Sequence, residues 1–357
     1  MPEPDKFVAN MLVASAPAYA SAASARLLQQ HPSVPEHFGP GSWSSWKTHY
    51  LQRIHELAAA VACGAPEVFA GRIAWVRQAF VCRSVPEEDL RHSLHCLREV
   101  LDSELPDPAR AAVMPALAAG LDALEGPVQP DQCVLSGDTK AGRVALAYLV
   151  AALEGDGKRA IETVTAAIDD GFDLRDAHSS IVVPVQKELG RMWHAGELSV
   201  AQEHLVTSTT QRLLYVLGAA SPPVKPNGLK ALLAGVSGDV HDIALRSLAN
   251  LLEMDGWQVL CLGGDVPDTE IAAAADYFVA DVLMLSATLA QHLLAVTRTI
   301  ASIRQLDGRR IPVIVGGLAY EGTGDLWRRQ GAAGYAREFG EAVRLAASIA
   351  AGATPAT

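Results

Sequence analysis

Downstream of residue 228, short apolar runs alternate with helical patterns, and this alternation limits the possible folds more than any other feature. Candidate strands follow one another at residues 230–236, 258–262, 282–286, 313–315 and 334–336. Candidate helices lie at 242–254, 268–279, 292–306 and 340–350, with a weaker one near 325–330. The strands are continuously apolar, as expected where helices cover both faces of a parallel sheet. With right-handed crossovers, the pattern predicts a doubly wound five-stranded α/β domain over residues 228–352.

A histidine is held on the turn between the first candidate strand and the helix that follows it. The turn reads Ser-Gly-Asp-Val-His-Asp over residues 237–242, and open α/β sheets present ligand-binding groups at the carboxyl ends of their strands. The neutral imidazole of His241 is a suitable transition-metal ligand, and the carboxylate of Asp239 can fix its tautomer. The pair alone fits a helix-capping histidine equally well.

Small residues follow the other strands at the same predicted edge of the sheet. Ser286 and Thr288 come after the third strand, Gly316 and Gly317 after the fourth, and a Gly-Gly-Asp turn after the second. Such residues let the backbone approach a long ligand closely, so they predict a narrow slot at this edge. Neither a GxGxxG fingerprint nor a Walker-type lysine is present.

Two helical regions precede the sheet. Residues 1–126 carry apolar and aromatic side chains at three- and four-residue spacing and predict an all-helical domain, with Ser84 suited to one N-cap. Its first segment is expected either to pack as a short helix over 7–28 or to stay partly mobile. Aromatics and histidines in such a domain could hold a flat pigment, which spacing alone does not show. Residues 138–220 carry four helical patterns with short connections and predict an antiparallel bundle.

Charge and cysteine content exclude several classes of protein. The chain has 357 residues and a formal net charge of −11, which argues against binding to a phosphate backbone because that needs a basic face. The five cysteines are scattered without a CxxC pair, as in reduced cytoplasmic proteins. No signal-peptide pattern and no apolar run as long as a membrane span occurs. We therefore expect a cytoplasmic protein without nucleic-acid or membrane partners.

The turn and the strand ends together resemble the Asp-x-His-x-x-Gly, Ser-x-Leu/Thr and Gly-Gly signature of flavodoxin-like cobalamin-binding domains. In that family the histidine is the lower axial cobalt ligand, and the displaced nucleotide tail lies in the slot. The resemblance implies that His241 binds cobalt and that Asp239 holds its ring. It also implies six contacts to the cofactor tail: Gly238, Ala244, Ser286, Thr288, Gly316 and Gly317. Ala244 stands where the family has glycine, and its methyl group narrows the expected tail entrance.

The bundle at residues 138–220 is similar to the helical cap that covers the upper face of cobalamin in the same family. Trp193-His194 followed by Glu203-His204 resembles the Trp-x9-Glu-His arrangement of CarH-type light-dependent photoreceptors. The resemblance implies that Trp193, Glu203 and His204 shape an adenosyl pocket. It makes His194 the candidate upper axial ligand once light has broken the cobalt–carbon bond. Without the resemblance, the same residues fit a core tryptophan beside a capping pair.

The N-terminal region departs from the CarH-type repressors, which begin with a small basic helix-turn-helix domain. Residues 1–126 contain no basic recognition helix, so direct DNA binding is not expected. The arrangement looks most like the photocobilins, photosensors that combine cobalamin with a bilin such as biliverdin. This implies a light sensor that binds adenosylcobalamin, is a homo-oligomer and signals to a downstream protein. A bilin would bind noncovalently in the N-terminal helices, and no residue is assigned to it.

Two other functions remain open. One is a corrinoid carrier subunit of a methyltransferase or mutase system, which needs a separate catalytic partner because the chain shows no barrel domain or zinc–thiol site. The other is a cobalamin storage or chaperone module. A signalling photoreceptor is not an enzyme, whereas the carrier is part of one. Methyl transfer from bound methylcobalamin would indicate the carrier, and light-driven loss of the adenosyl group would indicate the sensor.

Overall fold

The computed structural model of the chain describes four stretches: residues 3–38, 41–128, 132–306 and 310–352. The chain divides into two compact units. The first contains the N-terminal helices together with Ala287–Arg298 and Gly317–Gly331, and the second contains the helical bundle and the rest of the α/β domain. Among the helices of the four described stretches, none is long and apolar enough to cross a membrane.

In the residues that the structure describes, the N-terminal part of the first unit consists of helices, as predicted. They are α1 (Glu3–Gln30), α2 (Val34–Phe38), α3 (Ser42–Cys63), α4 (Pro66–Cys82), α5 (Glu87–Glu104) and α6 (Asp107–Asp122). Helix α1 is ordered over a longer range than the expected short helix. Its buried face includes Ala16, Ala20 and Ala23, and these small side chains let it pack closely on α3 and α5.

The predicted N-cap at Ser84 is wrong. Ser84 lies in the left-handed region at φ 56°, and α5 begins at Glu87 after Pro86. The backbone N–H of Ser84 donates to Val81 O, and that of Val85 donates to Phe80 O. Ser84 therefore ends α4, because these hydrogen bonds satisfy the last carbonyls of that helix.

The helical bundle lies in the second unit. Its helices are α7 (Lys140–Leu153), α8 (Gly157–Asp169), α9 (Leu174–Ala177), α10 (Val183–Ala195) and α11 (Val200–Ala219). A π-helical turn, His178–Val182, joins α9 to α10. The three segments form one continuous helix, so the bundle has the four helices that the sequence predicted. The N-caps Thr139, Asp156, Asp173 and Ser199 each accept a backbone hydrogen bond from the first turn, and such caps contribute about 1 kcal/mol each.

The predicted parallel sheet follows the bundle. Its strands are β1 (Lys230–Gly235), β2 (Gln258–Cys261), β3 (Val282–Ser286), β4 (Val313–Gly316) and β5 (Gly334–Ala336). The helices that alternate with them are α12 (Ile243–Glu253), α13 (Asp268–Tyr277), α14 (Leu293–Arg304), α15 (Leu326–Gln330) and α16 (Phe339–Ala350). The strand order is β2-β1-β3-β4-β5 with every pair parallel, which is the flavodoxin-like order. The predicted fold class is confirmed.

The sheet positions one edge for ligand binding. Strand β3 is buried along its whole length, as is β1 apart from Lys230, because helices cover both faces. The chain runs from β1 outward to β2 and then returns to β3 on the other side of β1. This reversal creates a topological switch point between β1 and β3, and in such sheets ligands bind at the carboxyl ends of the strands there.

Candidate functional site

The His241 side chain is paired with a buried carboxylate at the carboxyl end of β1. Its Nδ1 lies 2.7 Å from Oδ1 of Asp239, and the same oxygen accepts a hydrogen bond from the His241 backbone N–H at 3.2 Å. The Asp239 side chain is fully buried, whereas that of His241 is 54% exposed. A ring that donates from Nδ1 presents the lone pair of Nε2, so Nε2 is the atom that remains for coordination.

The electrostatic surroundings of His241 favour a strongly basic ring. The hydrogen bond to Asp239 raises the pKa of His241, and burial acts in the opposite direction. The negative charges of Asp239, Glu203 and Asp242 raise this pKa further. A more basic imidazole is a stronger donor toward a metal, which is the usual effect of a carboxylate on a ligating histidine.

The segment after β2 holds the histidine turn in place through hydrogen bonds, a contact that the sequence did not predict. The Asp265 backbone N–H donates to Asp239 O at 2.7 Å, and the Asp265 carboxylate accepts from the Gly238 N–H at 2.7 Å. A methyl group on Gly264 would lie 2.7 Å from Asp239 O, so only glycine allows this approach. The Gly-Gly-Asp pattern indicated a close backbone approach, but its partner is the turn itself.

Small residues lie side by side on adjacent strands at the same edge. Ser286 pairs in register with Gly235 on one side and with Gly316 on the other, and Gly316 pairs with Ala336. Ser286 is buried. Ala244 is exposed in the first turn of α12. The sheet register therefore places Gly235, Ser286 and Gly316 side by side.

The residues that directly follow these strand ends belong to the first compact unit. Thr288 is half-buried there. Gly317 has φ 100°, and an added methyl group would lie 2.3 Å from Ala287 O. The Ala319 N–H donates to the same oxygen at 3.1 Å. A side chain at position 317 would collide with the segment that follows β3, so the chain requires glycine where it leaves β4.

Trp193 and His194 occupy different faces of α10. Trp193 is 41% exposed, whereas His194 is buried, as expected for consecutive residues about 100° apart around a helix. Gly196 ends α10 in the left-handed conformation, and α11 then begins with a capping box between Ser199 and Gln202. The tryptophan is therefore accessible for a ligand contact, whereas His194 is buried.

Glu203 and His204 form a pair at the start of α11. Glu203 Oε2 lies 2.8 Å from His204 Nδ1, and Glu203 Oε1 accepts a hydrogen bond from the Thr207 hydroxyl at 2.7 Å. The His204 side chain is 75% exposed. The charge of Glu203 contributes to the raised pKa of His241, so the first turn of α11 lies within electrostatic range of the histidine turn.

Helix α11 is fastened to α12 next to the histidine turn. The Gln211 amide donates to Asp242 Oδ1 at 3.1 Å, and the Arg246 Nε donates to Asp242 Oδ2 at 2.8 Å. Further along, the Asn250 amide donates to Leu214 O at 2.9 Å. Nothing periodic in the sequence marks Gln211 or Asp242 as partners, because their contact spans two domains of the fold.

Comparison with family models identifies two segments of the chain. Residues 229–346 match a model described as B12 binding domain, and residues 144–217 match a second model with the same description. The two matches correspond to the α/β domain and to the bundle. The chain is therefore a cobalamin-binding protein.

Individual relatives include both repressors and corrinoid proteins. The chain is 36% identical over 177 residues to the HTH-type transcriptional repressor CarA of Myxococcus xanthus, covering 47% of this chain and 55% of that protein. The chain thus spans about half the length of that repressor. It is 27% identical over 208 residues to the corrinoid protein DSY3155 of Desulfitobacterium hafniense (strain Y51), covering 56% of this chain and 94% of that protein.

One solved structure supports the fold. The monomethylamine corrinoid protein of Methanosarcina barkeri matches with a TM-score of 0.50 and 20% identity, covering 57% of this chain and 96% of that protein. At this identity the likeness concerns the architecture, a helical cap together with a parallel α/β domain.

The site residues fit a cobalamin. His241 offers one nitrogen donor whose ring is already fixed by a carboxylate, which suits a metal that receives its remaining ligands from a macrocycle. The small residues Gly235, Ser286 and Gly316 leave the adjacent strand ends free of bulky side chains. His241 would hold the cobalt, and these strand ends would accommodate the tail.

Proposed function

We propose that the chain is a light sensor that binds adenosylcobalamin, with Nε2 of His241 as the lower axial ligand. The observation that carries the proposal is the His241–Asp239 pair at the switch point of a B12-binding domain. The tail contacts are those implied by the resemblance, at Gly238, Ala244, Ser286, Thr288, Gly316 and Gly317. Trp193, Glu203 and His204 of the cap would hold the adenosyl group.

Bound adenosylcobalamin supplies a cobalt–carbon bond that visible light breaks. Trp193, which is 41% exposed on α10, would hold the adenosyl group while that bond is intact. His194 would be the residue that holds the cobalt afterwards, and its movement would require the end of α10 to repack against α11. Such an element has two states that are biased by the covalent state of a ligand. The change passes to a second copy of the chain or to a downstream signalling protein.

The N-terminal helices are a candidate second chromophore site for a bilin such as biliverdin. The His49 ring on α3 contacts the rings of Trp46, Tyr50 and Phe80 at centroid distances of 5.0 to 6.0 Å. Its Nε2 is buried and has no hydrogen-bond partner among the described residues. Burial, followed by the charge of Arg53, lowers the pKa of His49 well below its usual value. A neutral, unpaired imidazole among aromatic rings supports a planar ligand with polar edges.

Light-dependent spectra test the proposal. Protein loaded with adenosylcobalamin in the dark is exposed to green light, and absorbance is recorded for the wild type, His241→Ala and His194→Ala. We expect a spectral change in the wild type that His241→Ala abolishes. The His194→Ala protein should change differently because it lacks the upper ligand. An unchanged wild-type spectrum would overturn light sensing, and a bis-histidine spectrum in His194→Ala would overturn the upper-ligand assignment.

A corrinoid carrier is the second candidate function. It is favoured by the match that covers 94% of corrinoid protein DSY3155. In this case the exposed Trp193 would cover a methyl group instead of an adenosyl group. Loading the protein with methylcobalamin and adding a thiol acceptor with a corrinoid methyltransferase distinguishes the two functions. Methyl turnover without any photoresponse of the adenosyl form would replace the sensor with the carrier.

A further inference from the structure

The residue that follows His241 is an aspartate that does not cap its helix. Asp242 is the N-cap residue of α12, yet its side chain accepts no hydrogen bond from the first turn of that helix. Aspartate is favoured at this position because its carboxylate normally accepts from a backbone N–H of the first turn. The Asp242 side chain is also buried, with an exposed fraction of 9%. A buried carboxylate needs polar partners in place of water, so its partners must come from elsewhere.

The two carboxylate oxygens of Asp242 bind different partners. Oδ1 accepts a hydrogen bond from the Gln211 amide on α11 at 3.1 Å. Oδ2 accepts from Nε of Arg246 at 2.8 Å and lies 2.6 Å from Nη2 of the same side chain. Arg246 holds the carboxylate from within α12, whereas Gln211 belongs to the helical bundle. The hydrogen bond from Gln211 therefore links the bundle directly to the residue next to His241.

Further contacts keep α11 and α12 together. The Asn250 amide donates to Leu214 O at 2.9 Å, and a methyl group on Gly218 would lie 2.8 Å from Asn250 Oδ1. The two helices are thus in close contact beyond the histidine turn. At the start of α12, Ile243 packs against the apolar core of the bundle. A displacement of α11 would therefore be passed to the first turn of α12.

The histidine turn is held at both of its ends. At one end, Asp239 O accepts from the Asp265 N–H at 2.7 Å, and the Asp239 carboxylate pairs with the ring. At the other end, Asp242 is held by Gln211. Two residues, one of which is His241, lie between the two aspartates. The position of the imidazole ring therefore depends on both aspartates.

We propose that Gln211 and Asp242 are positioning residues for the lower cobalt ligand. Their hydrogen bond holds the turn in the conformation from which Nε2 of His241 coordinates cobalt, and loss of this bond lets the histidine leave the metal. The bundle thus acts on the lower ligand as well as at the upper face of the cofactor. The inference rests on the proposed cofactor site and does not depend on light.

An exchange of donor and acceptor tests the contact in the full chain. Gln211→Ala removes the donor, and Gln211→Glu places a second carboxylate against Asp242. Combining Gln211→Glu with Asp242→Asn restores the pair, because the asparagine amide can donate to the glutamate while its oxygen still accepts from Arg246. Tyr215→Glu is the control for charge, since it adds a carboxylate to α11 where the side chain is 81% exposed.

Two measurements are made on each variant. Hydrogen exchange of the ligand-free protein, followed by mass spectrometry of peptides that cover residues 236–243, reports on the turn. The backbone N–H groups of Gly238, Asp239 and His241 all donate hydrogen bonds there. Electron paramagnetic resonance of the protein loaded with cob(II)alamin reports on nitrogen bound to cobalt. Labelling the histidines with the heavier nitrogen isotope distinguishes this nitrogen from that of the cofactor's own base.

Faster exchange and loss of histidine coordination are the expected results. Gln211→Ala should accelerate exchange of the turn about fivefold, which is the effect of one hydrogen bond. Gln211→Glu should accelerate it at least about tenfold, because two carboxylates then face each other. In both variants a fraction of the cobalt should lose its histidine nitrogen. The double variant should return to within about twofold of the wild type, and Tyr215→Glu should match the wild type.

Unchanged exchange in both single variants would overturn the positioning role, as would faster exchange without any loss of the nitrogen signal. An equal effect of Tyr215→Glu and Gln211→Glu would also overturn it, because charge alone would then explain the result. A wild type without histidine nitrogen on cobalt would overturn the proposed lower ligand itself. Absence of a photoresponse would overturn the proposed light sensing and leave this inference standing, so the failures of the two proposals are distinguishable.

Discussion

The histidines on the β1–α12 turn and in the helical parts of the chain show how surroundings decide what an imidazole can do. The His241 ring pairs through Nδ1 with the buried carboxylate of Asp239, and this contact raises the pKa of the ring. Nε2 is then the nitrogen that can coordinate a metal. His49 in the first unit and His178 in the bundle have buried ring nitrogens without hydrogen-bond partners among the described residues. Burial lowers the pKa of both. A carboxylate partner raises the basicity of an imidazole, whereas an apolar surrounding keeps the ring neutral.

Removal of the paired ring should give the largest effect. We expect His241→Ala to weaken hydroxocobalamin binding by at least about a hundredfold, because it deletes a direct ligand and even outer partners contribute about 10–100-fold. Absorbance titration measures the change, and Lys158→Ala, whose side chain is 84% exposed in the same unit, is the control. Tight binding of hydroxocobalamin by His241→Ala would contradict the comparison between the histidines, because His241 would then not be a metal ligand.

Loss of the carboxylate alone should have a smaller effect. Asp239→Asn keeps the shape but removes the charge that fixes the ring, so binding of hydroxocobalamin should weaken about 10–100-fold. A matched variant, Asp265→Asn, retains the ring partner and tests only the clamp on the turn. If Asp239→Asn binds like the wild type, the carboxylate has no part in making His241 a ligand.

Acid should destabilise the second unit through the unpaired His178. Burial lowers the pKa of His178 to about 4, below the value of about 6.5 in the unfolded chain. The unfolded state then binds the proton more readily, so stability is full above pH 6.5 and falls as the pH decreases toward 4. Between pH 7 and pH 5 the loss is about 2 kcal/mol.

Chemical denaturation at the two pH values measures this loss. We expect His178→Leu to reduce the pH dependence by about that amount, whereas Lys158→Ala, whose side chain is 84% exposed, should keep the wild-type dependence. The same slope in His178→Leu and the wild type would show that other groups cause the acid sensitivity.

The smallest effect is expected at His49. Replacing it with phenylalanine removes a buried nitrogen without a partner, so the free energy of unfolding of the ligand-free protein should rise by roughly 1 kcal/mol. Thermal denaturation measures the change, with Thr48→Ala, an exposed neighbour on the same helix, as the control. A loss of stability would indicate that the imidazole makes a polar contact that phenylalanine cannot replace.

The sheet and the bundle were predictable because their residues repeat with a clear period. Five continuous apolar runs between helices allow few arrangements, and the observed strand order agrees with the prediction. The His241–Asp239 contact was also predictable, since a two-residue spacing on a tight turn brings the side chains together. These features depend on neighbours in the sequence or on the regular geometry of a sheet.

Contacts between distant segments could not be predicted from the sequence. Asp265 clamps the histidine turn and Gln211 bonds to Asp242, yet each lies in a stretch with an ordinary local pattern. The π-helical turn at His178–Val182 adds a residue to a helix whose period looks regular. Ser84 had the composition of an N-cap, but the hydrogen bonds of the preceding helix reach it first.

The placement of Ala287–Arg298 and Gly317–Gly331 limits how modular the chain is. Deleting the residues up to the end of α6 would remove the carbonyl oxygens of Cys63 and Gly64, which accept hydrogen bonds from Arg329. It would also expose the Gln330 amide, which is buried in the full chain. Transplanting either half to another protein requires redesign of two interior stretches as well as a cut in the chain.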